Sequence, residues 1–217
     1  WGTAIAGDLA PKMAGGQEGH SGPFGYHLML SPVLLYPATL LLPAALVLIW
    51  SGRAEPGVRF AACWLIPTWL MFELLPTKLV HYTLPAYGAL AWLMAAALVE
   101  GEGVLGRKVR ITGAVFSGLG ALLFTAIALV GLAQYGEATD APAAVLTAAL
   151  YMGAGAAGAV LLLRGQALRA TFAAMAAGVL AHGVLAGALL PRLEPLWLSQ
   201  RAAALLEQAM LDPKSGL

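Results

Sequence analysis

Six stretches of the chain are almost continuously apolar, and none alternates with the period of two that marks a half-buried strand. They run approximately over residues 26–50, 58–75, 83–99, 110–133, 143–163 and 169–190, each close to the length a helix needs to cross roughly 30 Å of hydrocarbon. In lipid the backbone is satisfied only within helices or closed barrels, so these runs predict an all-α, polytopic transmembrane bundle of about six helices. Residues 1–25 are Gly-rich and polar and read as a loop; residues 26–190 read as the transmembrane domain. From 191 the pattern becomes amphipathic. Leu198, Ala202, Leu205 and Ala209 fall on one helical face, and Gln200, Arg201, Glu207 and Gln208 on the other. That predicts an interfacial helix over 191–217 with Trp197 at the membrane edge, or the start of a further outer domain.

Composition agrees with the pattern. Hydrophobic residues make up 60% of the 217, charged residues 11%, and mean hydropathy is +0.79, against about a quarter charged residues in a soluble domain. The net charge of +1 and the scatter of basic residues over short loops argue against a nucleic-acid partner and leave membrane lipid as the surroundings. The single cysteine, Cys63, permits no internal disulfide and reads as a small buried hydrophobe. Beginning at Trp1, with no signal-peptide pattern, the sequence reads as a piece of a longer protein.

Loop charges orient the helices. Arg53 and Arg59 flank the first link, Arg107, Lys108 and Arg110 the third, and Arg164 and Arg169 the fifth, whereas "QYGEATDAP" (134–142) holds no basic residue. The Arg-bearing loops are therefore expected on the cytoplasmic side. The leading loop, the 76–82 link and the tail then lie on the outer face, which is periplasmic in a bacterial inner membrane with an outer membrane beyond it. The last three runs read as packing: Ala149, Gly153 and Ala157, with Gly155 and Ala159, space small residues for close helix approach, and His182 reads as a packing histidine.

Two polar clusters interrupt this apolar chain. In "ELLPTKLVHYTLPAY" (73–87), Pro76 and Pro85 bracket a link too short to leave the bilayer surface. A cation held there suits an anion at headgroup level, so Lys78 is a candidate phosphate ligand with His81 and Tyr82 beside it. The alternative is a snorkelling lysine with a belt tyrosine. The second cluster places Asp8, Lys12, Glu18, His20 and His27 in the leading loop. Glu18 and His20, two residues apart, are candidate substrate or divalent-metal ligands, though a metal would need further ligands from elsewhere.

At these residues the chain resembles a family. "ELLPTKLVHYTLPAYGALAWL" is similar to the lysine-leucine, tyrosine, leucine-proline signature of bacterial membrane glycosyltransferases of the protein mannosyltransferase and aminoarabinose (lipid A) transferase type, members of the GT-C superfamily. "DLAPKMAGGQEGHSGPFGYHLML" resembles their preceding outer loop, and "LPRLEPLWLSQRAAALLEQ" the join to their outer domain. The resemblance implies a GT-C fold and an enzyme that moves a sugar from a polyprenyl-phosphate carrier to a lipid A-like or other cell-envelope acceptor on the outer face. It assigns the carrier phosphate to Lys78, the lining of that pocket to Tyr82 and His81, and a substrate or metal role to Glu18 and His20. It also implies that the catalytic aspartate lies in an earlier outer loop, which Asp8 does not match; no catalytic residue is expected in this chain and the piece alone is expected to be inactive. The alternatives are an O-antigen ligase or polymerase, expected to carry a larger Arg-rich outer loop, and a lipid-linked glycan flippase or transporter, expected to carry paired broken helices and mid-membrane charge.

Overall fold

The structure is a computed structural model that describes residues 20–211. The described residues are almost wholly helical, with no strand beyond a single isolated bridge. Eight α-helices follow in order: α1 (Tyr26–Leu34), α2 (Leu42–Ser51), α3 (Pro56–Leu74), α4 (Leu84–Glu100), α5 (Arg107–Tyr135), α6 (Ala141–Leu163), α7 (Ala167–Val184) and α8 (Leu198–Leu211). The fold is the all-α, multi-pass membrane bundle that the hydropathy predicts.

Among the described residues four helical stretches are long and apolar enough to cross a membrane: Leu84–Gly103, Arg107–Tyr135, Ala138–Leu163 and Ala167–Arg192. The first predicted run is not one straight span. Tyr26–Leu34 and Ala38–Ser51 meet at 115° and make a fifth crossing only if the bent pair is counted as one. The break falls at Leu35–Pro37, after a helix that already contains Pro32 and just before a proline that donates no N–H. Its loosened backbone is satisfied locally: the Thr39 hydroxyl donates to the Pro32 carbonyl at 2.6 Å. The run at 58–75 does fold as a helix, α3, but Arg59, Pro67 and Glu73 keep it outside the set that is apolar enough on its own.

The scaffold is the tightly packed series α5, α6, α7, with α2 and α4 packed on its other side around Leu40, Ala44, Ala89 and Leu93. Gly155 of α6 lies against α5, where an added Cβ would fall 2.3 Å from Ala121 Cβ. The close approach that small residues permit is therefore present at Gly155, one of the positions read from spacing, but not along Ala149 and Gly153. Ala149 and Gly153 point outward, and Ala148, Tyr151, Ala154, Gly155 and Gly158 form the buried face. His182 is the packing histidine expected: its Nδ1 lies 2.8 Å from the Gly178 carbonyl and its ring meets Phe124 and Tyr151 edge-on. Cys63 departs from expectation, since it sits on the outward face of α3 and is exposed.

Beyond α7 the chain continues through a π-helical turn, Leu185–Leu189, and two short 3₁₀ turns before α8. Leu198, Leu205 and Leu206 of α8 are exposed, and the Trp197 indole donates to the Leu190 carbonyl at 2.8 Å. Arg192 lies 4.0 Å from Asp140, so the start of the tail shares one end of the bundle with the 134–142 link.

These contacts predict that Gly155→Leu destabilises the folded protein by about 1–3 kcal/mol through overpacking, whereas Gly153→Leu, with nothing near its outward face, stays within about 0.5 kcal/mol of wild type. Denaturant titration of the two variants in detergent checks this.

Candidate functional site

The site begins with a proline. Within α3 the Phe72 carbonyl would accept from the amide four residues on, but that residue is Pro76. The next carbonyl, Glu73, loses its helical partner too, because Thr77 has left the helix to pair with Ser21. Lys78 folds back to fill both vacancies. Its Nζ donates to the Phe72 carbonyl at 3.0 Å and to the Glu73 carbonyl at 2.5 Å. The ammonium thus sits at the negative end of α3, where the aligned peptide dipoles favour a cation. Its third neighbour is the Glu73 carboxylate, 3.7 Å away. Lys78 is only 4% exposed.

Glu73 does the complementary task for α1. That helix starts after Gly25, whose φ of +89° suits a glycine, and no local side chain caps it. The Glu73 carboxylate, 48 residues away from Gly25 in sequence, accepts the Gly25 N–H at 3.0 Å and the Leu28 N–H at 2.9 Å. An anion at a helix start satisfies free amides and complements the dipole together. His27, in the first turn of α1 and fully buried, bridges to the far side of the link: its Nε2 donates to the Leu79 carbonyl at 3.0 Å, and its Nδ1 lies 3.6 Å from Glu73 Oε2.

The leading loop is drawn onto the link by its backbone as well. The Lys78 N–H donates to the His20 carbonyl at 2.7 Å, and Ser21 and Thr77 face each other across the antiparallel bridge. The fit is close: a Cβ on Gly22 would stand 2.8 Å from Lys78 Cγ. His20 and His27 of the leading cluster and the 73–82 stretch, separate in sequence, are one structure; Asp8 and Lys12 lie outside the described residues.

The predicted site residues fall unevenly within it. Lys78 is at its centre, turned inward. His81 is exposed, and its ring meets Tyr82 edge-on; Tyr82 is half-buried with its ring 5.2 Å from Phe72. His20 joins through its backbone, with its residue exposed, and Glu18 lies outside the described residues. Among the described residues no three His, Cys, Asp or Glu side chains gather as a metal set. Sequence reasoning had Glu73 in the 73–87 stretch and His27 in the leading cluster but gave neither a role and did not bring them to Lys78. An acidic residue inside an apolar run was the available signal, but Glu73 and Lys78 are five apart, a spacing that pairs them only once the helix has ended. Beneath the cluster runs an apolar groove of about 380 Å³, lined by Phe24, Leu28, Leu46, Leu65 and Trp69, with Glu73 at its polar end.

Fold and site together define a multi-pass helical membrane protein with a buried, charge-balanced knot at one end of its bundle. Comparison with known proteins adds a kinship. The chain is similar to proteins named undecaprenyl phosphate-alpha-4-amino-4-deoxy-L-arabinose arabinosyl transferase. It is 36% identical over 115 residues to the one from Pectobacterium carotovorum, covering 52% of this chain and 21% of that relative. It is 39% identical over 89 residues to that of Pseudomonas paraeruginosa, covering 41% and 16%, and 36% identical over 121 residues to that of Pseudomonas aeruginosa, covering 56% and 22%. The matches thus take in about a fifth of the length of these relatives. No family model and no solved structure matches the chain.

The geometry predicts that Lys78→Met, which leaves Glu73 without its cation and two carbonyls without donors, destabilises the folded protein by about 3–5 kcal/mol. Adding Glu73→Gln to it should be far from additive, because the two side chains act as one unit. Thermal or denaturant unfolding of the single and double variants measures the coupling.

Proposed function

We propose that this chain is part of an integral membrane glycosyltransferase that moves a sugar from a polyprenyl-phosphate carrier to a lipid, of the lipid A kind, or to another cell-envelope acceptor. The observation that carries the proposal is the similarity, over about half of the chain, to relatives whose names specify an undecaprenyl-phosphate sugar donor and arabinosyl transfer. The proposed setting is a bacterial inner membrane, with the 76–82 link, the leading loop and the tail on the periplasmic face; the Arg-bearing alternate loops support that orientation.

In this reading the carrier phosphate comes to the Lys78 link. Lys78 holds its two carbonyls at 3.0 and 2.5 Å, while Glu73 stands off at 3.7 Å. The carboxylate is therefore the most loosely held of the three neighbours of Lys78, and the exposed His81 with the half-buried Tyr82 line the approach as hydrogen-bonding groups. The apolar groove below offers an environment suited to a prenyl chain. The reaction is an inverting displacement at the anomeric carbon: a base from another part of the full-length protein takes the acceptor hydroxyl proton as the carrier phosphate leaves. Charge grows on the departing phosphate, so a fixed ammonium there binds the transition state more strongly than the ground state. Glu18 and His20 remain candidates for acceptor or divalent-metal contact beside it.

The test is transfer from a polyprenyl-phosphate sugar to an extracted lipid acceptor by the full-length parent in membranes. Per correctly inserted molecule, Lys78→Ala is expected to lower turnover by about 10²-fold or more, as for loss of one preorganised donor. Normal turnover in that variant would remove Lys78 from the mechanism. No transfer from any carrier, with lipid translocation in its place, would favour a flippase.

A further inference from the structure

In the polar knot, the contacts that Glu73 makes with the start of α1 are used by neither the resemblance nor the proposed phosphate site. Glu73 is 5% exposed, its carboxylate engages both amides at the start of α1, and the same carboxylate faces His27 and Lys78. Removing it leaves two amides at a helix start with no acceptor and one buried ammonium with no counter-charge. We propose that Glu73 is a positioning residue: it clamps the 20–28 segment onto the 76–82 link and thereby sets the place of Lys78, His81 and the outer-loop residues relative to one another.

Three observations converge on this role. The Gly25 and Leu28 amides have no helical acceptor, since the ladder of α1 begins with the Met29 N–H donating to the Gly25 carbonyl. Glu73 therefore caps the start of α1, beside the His27 bond to the Leu79 carbonyl. Second, the backbone of the segment just before it meets the link through the His20 carbonyl on the Lys78 amide and the short Ser21–Thr77 bridge. Such a short bridge has little strength of its own, as isolated strand pairs are marginal in water. Third, the charge is balanced within the knot, so the clamp is stable without a ligand yet adjoins the ammonium that a phosphate would seek. The clamp rests on the proposed function only for its effect on donor binding; its effect on loop docking stands by itself.

The bridge supplies a direct reporter. The single bond from the Lys78 N–H to the His20 carbonyl flanks Ser21 and Thr77 in the manner of a non-hydrogen-bonded antiparallel pair, whose Cα atoms stand about 4.5 Å apart. That separation accepts a disulfide. In the full-length protein in membranes, with the exposed Cys63 changed to Ser, Ser21→Cys and Thr77→Cys should cross-link rapidly under mild oxidation. Glu73→Ala is expected to slow this cross-linking at least about fivefold per folded molecule, the population change that follows from losing one cap. Glu73→Gln, which keeps one acceptor oxygen, should be intermediate, and it carries the test if the alanine variant does not fold. A purely structural glutamate would lower the yield of folded protein and leave the rate per folded molecule unchanged.

Donor kinetics form the second arm. Glu73→Gln should raise KM for the polyprenyl-phosphate sugar more than it lowers kcat. Slowed cross-linking in a protein that transfers no sugar would support the clamp while overturning the glycosyltransferase reading. Unchanged cross-linking in both Glu73 variants overturns the clamp, whatever the transfer assay gives.

Discussion

A carboxylate and an ammonium buried between two helix ends organise this molecule's polar end. Glu73 ends α3 and starts α1; Lys78 follows α3 and closes its last open carbonyls. Each charge lies at the helix terminus whose dipole favours it, and each neutralises the other. That mutual arrangement explains how a chain so apolar keeps two charges nearly shielded from solvent. Isolated, either one would be prohibitively desolvated; together, and hydrogen-bonded to backbone groups that Pro76 and the start of α1 leave free, they are satisfied.

The rest of the fold stands in two relations to the knot. Helices α5 to α7 pack through small residues around the Tyr36, Phe124, Tyr151 and His182 rings and carry no buried ion pair of their own. They are scaffold. Helices α1 to α4 are shorter, bent or less apolar: the 115° break after α1 packs Tyr36 and Pro37 against Gly120 and Gly178 of the scaffold, while the proline-ended α3 and α4, restarting with Pro85 in its first turn, meet at the polar end. Local departures from regular helix leave backbone groups free, and the charged side chains are present where those groups need partners. The groove between α1, α2 and α3 opens beneath, giving the polar end an apolar floor.

Much of the architecture was readable from hydropathy, because a helix is almost the only way to satisfy backbone in lipid. The limits of that reading have particular causes. The first run looked continuous because Pro32 and Pro37 are apolar by hydropathy, although their missing N–H groups are what permit the bend. Small-residue spacing picked out Gly155, which does pack against α5, together with Ala149 and Gly153, which point outward, because glycine and alanine occur on both faces of that helix. At the site, Lys78, His81 and Tyr82 all fall on the short link between α3 and α4, where His81 and Tyr82 share a ring contact. That Lys78 turns inward, and that Glu73 and His27 complete its surroundings, depends on contacts across some fifty residues, which no periodicity encodes.

The account depends most directly on Glu73 being the acceptor for the Gly25 and Leu28 amides, since nothing else in α1 receives them. Amide hydrogen exchange on the full-length protein in lipid nanodiscs measures this without substrate or activity. The account predicts both amides to be protected in the wild type and to exchange much faster in Glu73→Gln, with the interior amides of α5 and α6 unchanged in both proteins. Gly25 and Leu28 amides that exchange in the wild type as freely as an unstructured loop would contradict it.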